Sequence, residues 1–434
     1  MTTDQIRKSF LDFFASKGHH IVPSDSVVPK NDPTVLFTTA GMQQFKEQFL
    51  GHGIEYKRAA TSQKCLRTAD LDRVGKTAVH HSFFEMLGNF SFGDYFKQEA
   101  ITWAWEYLTQ ILKIPADKLW VSVYKEDQEA KDIWLHVIQL PANRVVELGD
   151  KSNFWPSDAR QNGPNGPCGP CSEIFFDYGF NPSCTSKVCD PDCSCGRFAE
   201  VWNLVFTQYN RCDGGVLEPL PSKNIDTGMG LERLVCVLQG KKTNFEIDIF
   251  EPILAEIKKH INPQGTLLRK EQEYLIADHI RSITISLADG VTPSNEGRGY
   301  VVKKLIIDVT DIVVQTGKNE PTIYKLAASV AEVFKNPYPE LTEKLNHIQE
   351  VIRKVEESYI RVRKERIPEL KEEIFKLKMS SGDQGEPLGK ILFTFRDTYG
   401  LTLPTILGLV ESCGLQMSVR EKTHEIYTQL MENQ

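Results

Sequence analysis

Residues 63–67, QKCLR, and residues 80–96, HHSFFEMLGNFSFGDYF, decide the fold prediction. The pattern predicts two strands joined by the loop Thr68–Thr77, which would bring an arginine, a histidine and an aromatic ring together. A planar guanidinium suits phosphate oxygens, a histidine adds a donor, and an aromatic face can stack on a base. The alternative is a hairpin whose aromatic residues are core and whose arginine pairs with a surface carboxylate. On spacing alone this alternative is the more frequent case.

A second segment, DTGMGLERL at residues 226–234, places glycines at the entry to an apolar-periodic helix. Glycine is typical of positions where the backbone must approach a ligand closely. Arg233 in the first helical turn could reach a terminal phosphate, helped by the helix N-terminus. The alternative is an ordinary strand-to-helix turn, because the pattern is neither a Walker nor a Rossmann fingerprint.

A third segment, EVWNLVF at residues 200–206, is typical of a strand. Regular alternation would place Val201 and Asn203 on one face and Glu200 and Trp202 on the other. A buried asparagine needs a hydrogen-bond partner. Asn203 could bind a substrate or satisfy a neighbouring backbone group, and in isolation the second case is the more frequent.

The order of elements predicts an α+β fold with a mainly antiparallel sheet flanked by helices. Strand signals become rare beyond Gly240, so we predict a mixed domain over residues 1–240 and an all-helical domain over residues 241–434. The individual elements predicted are strands at Leu119–Tyr124, Glu173–Asp177 and Val201–Thr207, helices at Asp4–Lys17 and Phe96–Lys113, a charged helix at Glu350–Lys378 broken by Pro368, and a loop or hinge at Ser380–Gly385.

Composition sets limits on partners and compartment. The net charge of −7 over 434 residues argues against a wholly basic nucleic-acid binder, and we expect no DNA partner. RNA stays open because phosphate contacts need only a local basic face. No apolar run approaches membrane-spanning length, and Met1–Lys17 is not an export signal. We therefore expect a cytoplasmic protein without a membrane partner.

Six of the ten cysteines lie between Cys168 and Cys195. In a cytoplasmic chain such clustering indicates metal binding or local structure before disulfides. An insert around residues 180–197 supplies four thiolates within twelve residues, which suits structural zinc. The Cys-x-Cys spacing is tighter than the usual knuckle, so a reduced, metal-free insert is the alternative. The four candidate ligands are Cys184, Cys189, Cys193 and Cys195.

Together these segments resemble the class II aminoacyl-tRNA synthetases. The stretch from Arg67 to Phe84 resembles motif 2, and Gly228–Leu234 resembles motif 3. Within the class, the chain resembles the catalytic and tRNA-recognition portion of alanyl-tRNA synthetases, without their editing and C-terminal domains. The matching segments are Asn31–Pro33, Phe37–Met42, His80–Phe96, Asn153–Trp155, Gly166–Glu173, Val201–Phe206, Ile225–Leu234, Gly297–Val301 and Asp397–Gly400.

The resemblance implies a set of site residues. Arg67 and Arg233 are the implied catalytic residues, Asn203 and Asp226 would bind alanine, and Asn295 would read the tRNA acceptor stem. Asp226 would receive the alanine ammonium group, for which a fixed carboxylate is the natural partner. The implied ATP-binding residues are Arg67, His81, Phe84, Trp155, Val201, Trp202, Asn203, Gly230 and Arg233.

The implied reaction is ATP-dependent activation of L-alanine to alanyl-adenylate, followed by transfer to the 3′ end of tRNA(Ala). ATP is a substrate and Mg²⁺ a cofactor, with Glu200 a candidate ligand. Catalysis would come from positioning and charge stabilisation. The alternative is a paralogue that passes alanine to a non-tRNA acceptor or has only a binding role.

Three departures from the family pattern concern tRNA recognition. The loop between Arg67 and His80 lacks the family's Gly-Gly-Lys-His-Asn stretch. Lys303–Asp308 stands where an arginine-rich run is usual, and Gly400–Pro404 lacks the usual acidic residue.

Overall fold

The computed structural model describes residues 1–30, 35–161, 163–179, 181–380 and 385–414. The chain divides into two compact units, Met1–Glu251 and Pro252–Gln434. The first unit is built on one sheet and the second is helical, so the predicted α+β fold is confirmed. The assignment of residues 1–240 and 241–434 as functional domains stays a prediction. Asn31–Pro33 and most of the Ser380–Gly385 segment lie outside the described residues.

Among the described residues, the sheet of the first unit has nine strands in the order β1-β2-β3-β9-β8-β7-β4-β5, and β6 pairs with β7. Neighbours are antiparallel except for β1 with β2 and β4 with β5, which are parallel. The strands are β1 (His20–Ile21), β2 (Arg58–Leu66), β3 (Phe83–Phe92), β4 (Leu119–Tyr124), β5 (Val145–Leu148), β6 (Phe154–Trp155), β7 (Gly166–Asp177), β8 (Phe198–Arg211) and β9 (Leu217–Gly230).

Helices cover the sheet of the first unit. The apolar residues spaced along the first helix, Ile6 to Phe14, are buried as their spacing predicts, and a capping box from Thr2 begins the helix. Its rings meet Trp202 on β8, with the Phe10 centroid at 5.8 Å. The helices are α1 (Thr3–Ser16), α2 (Lys46–Phe49), α3 (Lys97–Glu106), α4 (Gln128–Asp132), α5 (Asp150–Asn153) and α6 (Leu231–Leu238). The helix predicted from Phe96 to Lys113 continues beyond α3 as a π-helical turn at Tyr107–Ile111.

The second unit consists of helices around apolar cores. One core joins the C-terminal half of the longest helix, from Leu370 to Leu377, to residues between Leu388 and Val410. The helices, counting one that begins at the boundary, are α7 (Glu251–His260), α8 (Lys270–Ala288), α9 (Gly297–Gln315), α10 (Ala327–Val333), α11 (Glu340–Glu343), α12 (Leu345–Met379), α13 (Gly385–Phe393) and α14 (Leu403–Ser412). In the described part of the chain, no helix combines the length and apolar character that crossing a membrane requires.

The prediction that Pro368 breaks the charged helix is wrong. Helix α12 runs through Pro368 without interruption over 35 residues. Proline removes one backbone donor, so the Lys364 carbonyl loses its usual intrahelical partner there. Apolar packing on both sides of the proline compensates, because Tyr359 before it and Leu370 after it are both buried. Tertiary packing therefore overrides the local preference.

A buried carboxylate, Asp311 on α9, ties three helices of the second unit together. It accepts hydrogen bonds from the Tyr359 hydroxyl at 2.7 Å and from Thr402 at 2.6 Å. It also accepts a bond from Thr405 and forms an ion pair with Arg363. Because Asp311 is 3% exposed, these donors replace the water that an ionised carboxylate would otherwise need. The cluster connects α9 to α12 and α14.

Replacing Asp311 with alanine should lower the free energy of unfolding of the second unit by roughly 3–5 kcal/mol, because Arg363 would be left largely buried without its partner. Urea unfolding followed by circular dichroism measures the change. Asp308→Ala is the matched control on the same helix, since Asp308 pairs with Lys304 near the surface. Its loss should be below about 1 kcal/mol. Equal effects of the two substitutions would contradict the role given to Asp311.

Candidate active site

A cleft of about 1040 Å³, including its open mouth, lies in the first unit. Of the ten residues predicted to bind ATP or alanine, all but Val201 and Trp202 line it. The lining residues are Ala40, Arg67, Asp70, Val79, His80, His81, Phe84, Met86, Lys151, Ser152, Phe154, Trp155, Ser157, Glu173, Glu200, Asn203, Val205, Asp226, Gly228, Gly230, Glu232, Arg233 and Asn244. The three sequence segments therefore meet at one site.

Arg67 and Phe84 form one wall of the cleft. They lie at the end of the β2–β3 pair, where Leu66 is opposite Phe83. The Arg67 guanidinium lies over the Phe84 ring, 4.9 Å from its centroid, and Arg67 Nε donates to the Thr39 carbonyl oxygen at 3.0 Å. In the described part of the chain Arg67 has no carboxylate partner. Its terminal nitrogens can therefore bind an anionic ligand without first breaking an ion pair.

A β-bulge on β8 changes which side chains reach the cleft. Trp202 pairs with Ile174 and Glu200 pairs with Phe175, so Val201 is the extra residue. The prediction that Glu200 and Trp202 share a face is wrong for this reason. Glu200 lines the cleft together with Asn203, while Trp202 is fully buried against α1 and Tyr107. The indole ring therefore contributes to the core.

Arg233 is held by Glu200. Arg233 Nη1 donates to Glu200 Oε2 at 2.9 Å and to the Glu200 carbonyl oxygen at 3.3 Å. Glu173, on β7, faces the same pair of charges. Burial, and then the charge of Glu200, raises the pKa of the Glu173 carboxyl well above its usual range, while Arg233 acts in the opposite direction. Two carboxylates and one arginine thus share this side of the cleft.

Asp226 lies on β9, opposite Val205 of β8, and is 6% exposed. Burial raises the pKa of its carboxyl to about 7. Asn203, on the cleft-facing side of β8, has an Oδ1 atom that is buried and has no hydrogen-bond partner among the described residues. A carboxylate and a carbonyl oxygen in need of donors are suited to an ammonium group.

The two adjacent histidines lie in different surroundings. His81 is 4% exposed and packs against Phe245 and Phe250, with ring centroids 4.7 and 5.1 Å away. His80 is less buried, and its Nδ1 lies 2.8 Å from the Thr77 hydroxyl. Burial, and then the positive charge of Arg233, lowers the pKa of His80. Both histidines line the cleft, so His80 is a further candidate phosphate contact that the sequence did not single out.

Trp155 and Gly230 both line the cleft. Trp155, on β6, pairs with Gly169 of β7. Gly230 ends β9, and α6 follows with Arg233 in its first turn. At Gly228, a Cβ atom would lie 2.9 Å from Met86 Sδ, so a side chain there would displace Met86. The sequence indicated the glycines, but only the packing shows that Met86 faces one of them.

Glu173 and Met86 are two of the lining residues to which the sequence assigned no role. Glu173 is the last residue of the matching segment Gly166–Glu173, and Met86 lies within the matching segment His80–Phe96. The sequence pattern predicted no function for either residue. The signal that could have found Glu173 is strand pairing, because it lies directly across from Asn203. Register between distant segments is not visible in a single sequence.

Asn295 belongs to the second unit, immediately before α9, and is exposed. Its Oδ1 accepts a hydrogen bond from Lys303 Nζ at 2.7 Å. Lys304, the other basic residue of this segment, is paired with Asp308. The exposed Asn295 side chain therefore lies beside Lys303, which takes no part in the ion pair between Lys304 and Asp308.

The four cysteines of the insert converge. Their sulfur atoms all lie within 4.8 Å of one another, with Cys184 and Cys193 at 3.6 Å and Cys189 and Cys195 at 3.7 Å. A tetrahedral zinc ion with Zn–S bonds of about 2.3 Å requires sulfur–sulfur separations of roughly 3.8 Å. The thiols therefore have the number and spacing of a four-thiolate site. Cys168 and Cys171 lie apart from this cluster in the buried part of β7.

The first unit thus combines a mainly antiparallel sheet with a cleft that presents two arginines, an aromatic ring and buried carboxylates. The chain belongs to the tRNA synthetases class II (A) family, whose family model matches residues 5–434. Motifs 2 and 3, the basis of the resemblance noted from the sequence, supply ten of the 23 residues that line the cleft.

Two relatives named as alanine–tRNA ligases agree with this membership. The chain is 45% identical over 427 residues to an alanine–tRNA ligase of Thermotoga maritima, covering 97% of this chain and 48% of the relative. It is 42% identical over 438 residues to an alanine–tRNA ligase of Desulforamulus reducens, covering 100% of this chain and 48% of the relative. The chain therefore spans about half the length of these relatives. A solved apo histidyl-tRNA synthetase from S. aureus matches at 12% identity and a TM-score of 0.34, over 62% of this chain and 80% of that one.

Proposed function

We propose that this chain activates L-alanine with ATP to form alanyl-adenylate and transfers the alanyl group to the 3′ end of tRNA(Ala). One observation carries the proposal: the cleft combines a buried carboxylate, Asp226, with the arginines Arg67 and Arg233. The first suits an amino acid's ammonium group, and the others suit the phosphates of ATP. Family membership and the relatives named as alanine–tRNA ligases support the same reading.

In the proposed activation step, the alanine carboxylate attacks the α-phosphorus of ATP and pyrophosphate leaves. Asp226 and Asn203 hold the ammonium end of alanine, so the carboxylate points toward the nucleotide. Arg67 stabilises the charge that develops at the α-phosphate, and Arg233, with His81, binds the outer phosphates. Catalysis comes from positioning and fixed charge, and no covalent enzyme intermediate is needed.

The rest of the nucleotide occupies the remaining lining. Phe84 presents a ring already covered by Arg67 on one side, and adenine stacks against it. Trp155 and the β8 backbone near Val201 lie beside the nucleotide, and Gly230 leaves room for it. The Trp202 ring is assigned to the core, so only its backbone takes part. The β8 residues that line the cleft are therefore Glu200, Asn203 and Val205.

Mg²⁺ fits the cleft because Glu200 offers the hard carboxylate oxygen that this ion prefers. Bound there, the ion would neutralise charge on the phosphates. Glu200 currently holds Arg233 at 2.9 Å, and ATP with its metal would share these two charges between the phosphates and the ion. The protein therefore places an ion pair, Glu200 with Arg233, where the phosphates of ATP would bind.

We assign the transfer step to both units. The domain around residues 1–240 forms the adenylate, and the helical domain over residues 241–434 binds tRNA, with Asn295 and Lys303 at an exposed surface. Because the proposed reaction consumes tRNA, we propose a cytoplasmic location. The reaction has tRNA(Ala), ATP and L-alanine as its partners.

Two paired assays test the proposal. Alanine-dependent exchange of labelled pyrophosphate into ATP measures activation, and alanylation of a transcribed tRNA carrying a G·U pair in its acceptor stem measures transfer. We expect both, with exchange strongest for alanine among the twenty amino acids. Exchange without alanylation would overturn the transfer step and indicate a non-tRNA acceptor. Absence of both with purified, folded chain would overturn the whole assignment.

We also propose that Cys184, Cys189, Cys193 and Cys195 hold one structural zinc ion. Purified chain should contain about one zinc per molecule by mass spectrometry, and Cys189→Ser should lose most of it because three thiolates bind zinc more weakly than four. Cys212→Ser, a cysteine outside the cluster, should keep the metal. Chelation should lower the thermal midpoint of the wild type but not that of Cys189→Ser. Zinc-free protein from zinc-supplemented cells would contradict the proposal.

A further inference from the structure

We propose that Glu173 is a positioning residue that orients the Asn203 side-chain amide, so that its oxygen faces the ammonium group of alanine. The inference rests on the function proposed above and deepens it. Glu173 would touch neither ATP nor the reacting carboxylate, and its effect would reach the substrate through Asn203.

The sheet places the two side chains together. Glu173 on β7 and Asn203 on β8 are directly paired across the two strands. Directly paired residues project from the same face of a sheet, with Cβ atoms roughly 5 Å apart. Both side chains line the cleft, and Asn203 Nδ2 donates to Glu173 Oε1 at 3.5 Å. The pair therefore belongs to the cleft face of the sheet.

The hydrogen-bond partners of Asn203 determine which end of its side-chain amide faces the cleft. An asparagine amide has a donor end and an acceptor end, and exchanging them by rotation changes what the site can bind. Glu173 offers an acceptor to the Nδ2 end, and the neighbouring thiol of Cys171 also interacts with the Asn203 side chain. Among the described residues nothing donates to Asn203 Oδ1. The atom left for a ligand is therefore an acceptor.

That remaining acceptor matches the proposed substrate. An α-ammonium group has only donors, and Asp226 can satisfy some of them but not all three. An Asn203 amide held with Oδ1 outward supplies another acceptor, whereas the rotated amide would present donors to a cation. Glu173 thus favours the bound orientation before alanine arrives, which lowers the cost of binding.

The surroundings of Glu173 do not alter this role. The charged groups facing it are Glu200 on β8 and Arg233 on α6, with the Cys171 thiol beside it on β7. Both the ionised and the protonated carboxyl keep a lone pair that accepts from Nδ2. The hydrogen bond therefore does not depend on the charge of Glu173.

Steady-state pyrophosphate exchange on purified full chain tests the inference with two variants. Glu173→Met keeps the length of the side chain but removes the acceptor, and the KM for alanine should rise at least tenfold with the KM for ATP changed less than twofold. Glu173→Gln keeps an acceptor, so the KM for alanine should stay within about threefold of wild type. Glu218→Gln, an exposed glutamate on β9, is the control and should behave as wild type.

A second measurement separates positioning from packing. In an Asn203→Ala background, Glu173→Met should have little further effect on the KM for alanine, because the residue it acts through is gone. An unchanged KM in Glu173→Met, equal increases in both KM values, or additive effects of the two substitutions would each overturn the inference. Wild-type chain without alanine-dependent exchange would instead overturn the proposed function itself.

Discussion

Replacing Asp226 with asparagine is expected to reduce kcat/KM for alanine-dependent pyrophosphate exchange by roughly 10²–10³-fold, while the protein becomes more stable at pH 8. The loss follows from removing the carboxylate assigned to the ammonium group, since truncating one partner of a buried charged pair costs about 2–5 kcal/mol. The KM for ATP should change little, because the phosphates contact Arg67 and Arg233. Asp226→Ala should lose activity to at least the same extent.

The change in stability has the opposite sign to the change in activity because the Asp226 carboxyl is buried. Burial raises the pKa of Asp226 to about 7, from about 3.9 in an unfolded chain. Below pH ~4 the carboxyl is protonated in both states and costs nothing; as the pH rises toward 7, ionisation favours the unfolded chain. Above pH 7 the full cost, up to about 4 kcal/mol, destabilises the folded state. Asparagine removes this cost.

Unfolding in urea at pH 4.5 and pH 8 checks the sign. Asp226→Asn should be more stable than wild type at pH 8, and the difference should shrink at the lower pH. Asp213→Asn, an exposed aspartate between β8 and β9, is the control and should show neither effect. Exchange activity close to that of wild type in Asp226→Asn would refute the alanine-binding role.

Replacing Arg67 with alanine should lower kcat for pyrophosphate exchange by roughly 10²–10³-fold, the range found when one donor to a developing charge is removed. Arg67 suits this role because Nε is fixed by the Thr39 carbonyl oxygen and the guanidinium is held over Phe84, so its position is set before ATP binds. Arg67→Lys should recover only part of the activity, since an ammonium group cannot form the same paired hydrogen bonds.

The measurement is the split between kcat and KM for ATP. A lower kcat with an unchanged KM for ATP would indicate that Arg67 acts in the transition state. A higher KM for ATP with an unchanged kcat would indicate an ordinary ground-state contact. Arg144→Ala, which removes an arginine that contacts the Ala116 carbonyl oxygen away from the cleft, should leave both values unchanged. Normal kcat in Arg67→Ala would exclude the catalytic role.

Local patterns predicted the frame of the molecule well. The run from His80 to Phe96 contains the strand β3, Phe83–Phe92, and the apolar spacing of Ile6, Phe10, Phe13 and Phe14 forms the buried face of α1. Both signals depend on neighbours within a few residues. Arg233 was singled out for the same reason, because a glycine-marked strand-to-helix junction is a local feature, whereas the roles of Asp226 and Gly230 came from the family resemblance.

What the sequence did not predict depends on pairing between distant segments. The bulge at Val201 changed the assignment of Glu200, and alternation along one strand cannot show where its partner strand slips by one residue. Pro368 was assigned as a helix break because the packing of Tyr359 and Leu370 on either side was not visible. Glu173 had no role until its pairing with Asn203 was known.

The extra residue at position 201 also constrains how β8 can vary among relatives. Glu200 and Asn203 are three positions apart, yet the bulge makes them same-face neighbours, as residues two apart are on a regular strand. A lineage that deleted one residue here would keep both side chains in the cleft. A lineage that kept the length but straightened the strand would move the glutamate into the core. Indels and substitutions at this strand are therefore expected to evolve together.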